Sequence, residues 1–277
     1  MNRTDMLLSL ALDEDIGGGD VTAAATIGPD VRSRAVVFGR EPFVLAGSAP
    51  FRRIFELLDR TIVVQAFFKD GDLVPPDTTV FLLERPARPI LTGERTALNF
   101  LQRLSGIATL TRKMVDAIAG TNARLLDTRK TTPLWRALEK EAVRAGGGVN
   151  HRFGLFDGVL IKDNHLAAAR GVANAVRAAR QHAPHTLRIE VEVESIQQLQ
   201  EALKAGADVV LLDNFTLENL GSAVRENAGR TLLEASGGVT LENIRAIAET
   251  GVDFISSGSI THSARAIDLT MEFAFSE

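Results

Sequence analysis

Short apolar runs broken by turn residues dominate the first third of the chain: Arg34 to Phe38, Phe43 to Ala46, Thr61 to Phe68 and Thr79 to Leu83. Their β-branched and aromatic content predicts strands. One helical pattern, about Ala49 to Leu58, interrupts them, and an amphipathic helix is expected where the N-terminal apolar stretch runs into Asp13-Glu14-Asp15. Asp70-Gly71 follows the Thr61 run, and that dipeptide predicts a hairpin turn. Pro75, Pro76, Pro86 and Pro89 punctuate the end of the region, which reads as a small α+β domain.

The pattern changes near residue 90. From Thr92 to Ile118, apolar residues at 97, 101, 104 and 108 recur at the spacing of a buried helical stripe. Gly106 is expected to split this stretch into two helices. Strand-like runs then alternate with helical segments: Arg124-Leu125-Leu126, Gly158 to Ile161, Leu187 to Val193, Asp208 to Leu212, Thr231-Leu232-Leu233 and Val252 to Ile255. That alternation predicts a parallel sheet covered on both faces. Each apolar run ends in polar residues, so many strand ends converge on one site. A closed barrel, whose site is ringed by every C-terminal strand end, fits this better than a doubly wound sheet with one switch point.

Composition narrows the chemistry. The 277 residues are 45% hydrophobic and 24% charged, ordinary for a globular protein, and there is neither cysteine nor tyrosine. Thiolate, disulfide and phenol chemistry are therefore excluded. The net charge of −4 gives no global attraction to nucleic acid or anionic membrane. No apolar run approaches the ~18 residues of a spanning helix, and the N-terminus lacks a signal-peptide cleavage pattern, so a cytoplasmic protein is expected.

The strand ends carry a basic set, Arg129, Lys130, His151, Arg152 and Lys162, suited to an anionic substrate. Gly146-Gly147-Gly148 before Asn150-His151-Arg152 reads as an anion-binding loop, and Lys162 as either a charge donor or a Schiff-base nucleophile. Glu190, Glu192 and Glu194 alternate with valine and share one strand face. Either all three face the barrel interior or only the last reaches the rim. Glu192 and Asp213 could together hold a hard divalent cation such as Mg²⁺, or could belong to a salt-bridge network with the basic set. Ser236-Gly237-Gly238 and Ser257-Gly258-Ser259 end the last two strands, where barrels often hold phosphate on backbone amides.

At these residues the chain resembles the quinolinate phosphoribosyltransferase family over essentially its whole length. The resemblance rests on Asp15 to Thr22, Glu94-Arg95-Thr96-Ala97-Leu98-Asn99, Leu104 to Thr109, Asp127-Thr128-Arg129-Lys130-Thr131-Thr132-Pro133, Gly146 to Arg152, Ile161 to His165 and Leu212 to Phe215. It implies an N-terminal α/β sandwich over about 1–100, rejoined by 265–277, and an incomplete TIM-like α/β barrel over 101–264. It also implies a pentosyltransferase that moves phosphoribose from 5-phosphoribosyl 1-diphosphate to quinolinate. The products would be nicotinate mononucleotide, diphosphate and CO₂, in de novo NAD biosynthesis, with Mg²⁺ and no organic cofactor. By motif match, Arg95, Arg129, His151 and Arg152 would bind the quinolinate carboxylates, with Thr128 in the same loop. Lys130 and Lys162 would lie between the substrates, and Glu192 and Asp213 would hold ribose hydroxyls and Mg²⁺. The Ser236–Gly238 and Ser257–Ser259 loops would hold the 5-phosphate. A homodimer is implied, with Arg95 reaching into the partner's site. Leu134-Trp135 departs from the glycine the family usually carries after the proline. Rival readings are a paralogue acting on another aromatic acid, an aldolase using Lys162, and a catalytically silent anion-binding protein.

Overall fold

The computed structural model describes residues 2–276. In chain order the elements are α1 (Arg3–Ile16), α2 (Val21–Thr26), β1 (Arg32–Gly39), β2 (Phe43–Val44), α3 (Ser48–Leu58), β3 (Val63–Ala66), β4 (Leu73–Val74), β5 (Phe81–Pro86) and α4 (Ala87–Ala117). They continue with β6 (Arg124–Leu126), α5 (Arg136–Ala145), β7 (Val159–Ile161), α6 (Asp163–Ala169), α7 (Val172–His182), β8 (Ile189–Val193) and α8 (Ile196–Ala205). Last come β9 (Val209–Asp213), α9 (Leu217–Asn227), β10 (Leu232–Ser236), α10 (Ile244–Glu249), β11 (Phe254–Ser256), α11 (Ser259–His262) and β12 (Leu269–Ser276). Two compact units result. One runs to Leu110 and adds Pro133–Gly147 and the segment from Ala264; the other is Thr111–Thr132 with Gly148–Ser263.

In the first unit an antiparallel sheet has the order β12-β1-β5-β3. The β1 strand buries alternate residues, as a sheet with one covered face requires. Phe43, Phe51, Phe55 and Phe81 are fully buried in this unit, with Phe51 stacked on Phe81 of β5 at 4.5 Å. Asp20 behaves as a turn residue: it caps α2, accepting from the Ala23 amide at 2.9 Å.

Two expectations are corrected in this unit. Asp70-Gly71 does not close a hairpin, because β3 pairs with β5 while β4 pairs with β2. The Asp70 carboxylate instead accepts from the Gly47 and Ser48 amides at 3.1 and 3.2 Å and holds the start of α3. Gly106 does not split the following helix either, and α4 runs unbroken for 31 residues. Its glycine answers a packing demand, since a Cβ there would lie 2.0 Å from the Arg265 carbonyl oxygen.

In the second unit six parallel strands have the order β6-β11-β10-β9-β8-β7. This is the α/β barrel arrangement, with helices between successive strands. Among the described residues no ladder joins β6 to β7, so the barrel has a seam there. Val149 alone bridges β6 in parallel, exchanging backbone bonds with Leu125 and Asp127. Val191, Val193, Val210 and Leu212 are buried among the apolar core positions. No helix among the described residues is long and apolar enough to cross a membrane.

Candidate active site

The C-terminal strand ends of the second unit enclose a cavity of about 760 Å³. It is lined by Thr128, Arg129, Lys130, His151, Arg152, Lys162, Glu192, Asp213, Ser236, Gly237, Gly238, Ser257, Gly258 and Ser259. Of the residues singled out at the strand ends and by the resemblance, those given substrate or metal roles thus converge, except Arg95. Arg95 is an exposed residue of α4 in the other unit and does not line the cavity. A second cavity, about 600 Å³, lies at the opposite strand ends around Arg188, Asp208, Arg230 and Asp253.

Backbone anchors set the basic side chains. Asp127, fully buried at the end of β6, accepts from Asn150 Nδ2 at 2.6 Å and from the His151 amide at 2.8 Å. Gly146 caps the end of α5, and the His151 amide is engaged by Asp127. Arg152 donates to the Gly158 carbonyl at 3.0 Å. Burial, and then the charge of Arg129, hold the Arg152 pKa below its usual value. Such a site favours an anion that neutralises two neighbouring guanidinium groups. Lys130 is held by its backbone N–H donating to Thr128 Oγ1 at 3.0 Å and by Thr261 Oγ1 donating to its carbonyl at 2.8 Å. The Lys162 amide donates to His165 Nδ1 at 2.9 Å, so His165 is a helix-start residue.

The acidic residues divide by depth. Glu192 is half-buried and ion-paired with Lys162, Glu190 is buried below it, and Glu194 is exposed beyond the strand. Both inward glutamates of β8 therefore face the barrel interior, and Glu194 does not. Asp213 closes β9 and accepts from Asn214 Nδ2 at 2.8 Å. Glu234 of β10 lines the floor and was absent from the residues picked out in the sequence. Its carboxyl is 2% exposed in residue terms, and burial followed by the neighbouring Glu190 charge pushes its pKa up to about 8. His151 Nε2 lies 3.1 Å from Glu190 and 3.7 Å from Glu234.

The two Ser/Gly loops have different supports. Gly237 has φ +97°, and a Cβ there would lie 2.1 Å from Asn214 Oδ1, so only glycine lets the loop approach Asp213-Asn214. Ser257 Oγ and Ser259 Oγ are 2.7 Å apart, and His262 of α11 completes that wall. The unexpected Leu134-Trp135 pair lies in the first unit. Trp135 stacks on Phe100 at 4.1 Å, and exposed Leu134 has φ +68°, a conformation that favours glycine. A cavity lined by cations, carboxylates and two small-residue loops suits a substrate with several anionic groups and hydroxyls.

Family models describe the same chain in two parts: the quinolinate phosphoribosyl transferase N-terminal domain matches residues 20–105 and the C-terminal domain residues 107–272. The chain belongs to the quinolinate phosphoribosyltransferase family. A probable nicotinate-nucleotide pyrophosphorylase [carboxylating] of Bacillus subtilis (strain 168) is 44% identical, covering 95% of this chain and 91% of the relative. The crystal structure of NadC from Streptococcus pyogenes superposes with a TM-score of 0.95 at 41% identity, over 99% of this chain and 97% of that one. The nicotinate-nucleotide pyrophosphorylase from Francisella tularensis gives 0.93 at 42% identity, over 98% and 96%. The chain thus shares its fold with both structures over nearly its whole length.

Proposed function

We propose that this chain transfers the phosphoribosyl group of 5-phosphoribosyl 1-diphosphate to quinolinate and releases CO₂, yielding nicotinate mononucleotide and diphosphate. The observation that supports this most is the gathering of Arg129, Arg152, Lys130 and Lys162 with Glu192, Asp213 and two Ser/Gly loops around one cavity. The pyridine nitrogen forms a bond to the anomeric carbon as its bond to the diphosphate oxygen breaks. The pyridinium so formed accepts the electron pair of the departing carboxylate, and a proton then takes the place of CO₂ on the ring carbon.

In this reading Arg129 and Arg152 bind the two carboxylates, with His151 beside them and Thr128 supporting the loop. Lys130 and Lys162 stabilise the leaving diphosphate, while Glu192 and Asp213 face the sugar as positive charge develops on it. Ser236–Gly238 and Ser257–Ser259 receive the 5-phosphate. Glu192 and Asp213 offer oxygen donors from neighbouring strands, and Mg²⁺ favours one or two carboxylates plus substrate oxygens, so the pair fits a Mg²⁺–diphosphate complex. Held there, the ion would offset charge on the leaving group. Arg95, outside the cavity, fits a homodimer in which a second copy supplies it. A cytoplasmic setting suits two such highly charged soluble substrates.

The test is incubation with quinolinate, 5-phosphoribosyl 1-diphosphate and Mg²⁺, following nicotinate mononucleotide and CO₂. Nicotinate, with one carboxylate fewer, should turn over far more slowly. Comparable turnover of both acids would defeat the dicarboxylate assignment, and neither product nor quinolinate binding by calorimetry would defeat the function.

A further inference from the structure

At and just beneath the floor of the cavity are two buried carboxyl groups that the proposed reaction does not use: Glu234 lines it, and Glu190 lies against His151. Glu234 is 2% exposed and Glu190 7%, on β10 and β8. The Oε1 atoms of both are fully buried and have no hydrogen-bond partner. His151 Nε2 and one oxygen from each carboxyl lie within 4.8 Å of one another. Two ionised carboxylates could offer each other only acceptors, at a large cost in a desolvated site. A single proton between them converts one into a donor and satisfies both.

The ring of His151 is fixed from both sides. The Arg152 amide donates to Nδ1 at 2.7 Å, which leaves Nε2 to carry the ring proton toward Glu190 at 3.1 Å. The same short segment is tied to β6 through Asp127. This segment follows the backbone bridge of Val149 to β6, and the His151 ring reaches carboxyl groups of β8 and β10. The Arg152 guanidinium also faces Glu190 and favours its ionised form, whereas the strands flanking β10 bring no charge beside Glu234 among the described residues. In register beside Glu234 are Leu211 on β9 and Phe254 on β11, with the Ser256 hydroxyl as the other polar neighbour.

We propose that Glu234 is a positioning residue: as a neutral carboxylic acid it donates to Glu190, which holds the Nε2–H of His151 and so aims the segment that carries Arg152. The kinetic consequence rests on the function proposed above; the structural part does not. Glutamine at this position keeps a neutral donor, whereas leucine removes it and leaves Glu190 buried without a partner.

Nitrogen NMR of the histidine side chains in the ligand-free chain tests the structural part, with His151 assigned by its absence in His151→Asn. The expected signals are an unprotonated Nδ1 and a protonated Nε2, retained in Glu234→Gln. A protonated Nδ1 in the unmodified chain would overturn the proposal. So would stoichiometric transition metal in the purified chain whose removal by a chelator shifts the His151 signals, because the three groups would then be metal ligands. In kinetics, Glu234→Leu should raise KM for quinolinate about 10-fold to 100-fold while KM for 5-phosphoribosyl 1-diphosphate moves less than about threefold, from the cost of one orphaned buried group. Glu234→Gln should restore most of the difference. Equal losses in both variants, or equal effects on both substrates, would refute the positioning role. If Glu234→Leu does not fold, the Glu234→Gln and NMR arms still decide. An unmodified chain without activity would count against the function alone.

Discussion

Replacing Glu234 with glutamine should shift the stability of the chain in the variant's favour as pH rises. In the folded chain the Glu234 carboxyl is pushed from an ordinary 4.5 to about 8 by burial and then by the charge of Glu190. Between those values folding must take up one proton, because the unfolded glutamate is ionised and the folded one is not. The sign follows from linkage: the raised group contributes its full stability below the unfolded value and loses it as pH rises through the folded one. Each pH unit in that window removes about 1.4 kcal/mol from the parent chain and nothing from the glutamine variant. From about pH 5 to about pH 7.5 the variant should gain up to roughly 3 kcal/mol relative to the parent. The second amide N–H of glutamine lacks a partner and costs about 1 kcal/mol, but that cost is the same at both pH values. Urea unfolding followed by circular dichroism at both pH values measures the difference. Tryptophan emission is the wrong probe, because Trp135 belongs to the other unit. A stability difference that stays flat or shrinks with rising pH would refute the buried neutral carboxyl.

Three further outcomes are expected. Asp127→Ala releases Asn150 and the His151 amide from a fully buried acceptor; unfolding should show a loss of about 2–3 kcal/mol, and quinolinate binding by calorimetry should weaken. Gly106→Val should be more damaging than a surface change on α4, by about 3 kcal/mol or more, because the new side chain meets the Arg265 carbonyl; an unaltered thermal transition would disprove that contact. Mixing Arg95→Ala chains with Lys130→Ala chains should recover activity absent from either alone, since one site in each mixed dimer is intact; no recovery would place Arg95 outside a shared site.

Most of the site was legible in the sequence because barrel strands advertise their C-terminal ends. Asp127, Lys162, Asp213 and the two Ser/Gly loops each follow an apolar run, and the fold turns those run ends into one rim. Gly106 misled because a glycine inside a helix reads as a break, whereas here it admits the Arg265 carbonyl from a segment far along the chain. Asp70-Gly71 misled because local turn chemistry says nothing about which strand will be the partner. Glu234 escaped for a related reason. The apolar run Thr231-Leu232-Leu233 stops just before it, yet β10 continues to Ser236, with Glu234 turned inward to the cavity floor. A buried ionisable group is detectable in sequence only if its partners are known, and Glu190 and His151 come from separate elements.

The return of β12 to β1 has a consequence for how the chain is made. Strand β1 forms near the start of the chain, but β12, its partner along all eight residues, follows the whole of the barrel. While the chain emerges from the ribosome, β1 can pair with β5 only and must present a bare edge. The barrel strands β6 to β11 are all synthesised before that edge is covered. Domains usually mature in the order of their synthesis; here the unit begun first is sealed last, and its exposed edge is the segment most in need of protection until the final strand arrives.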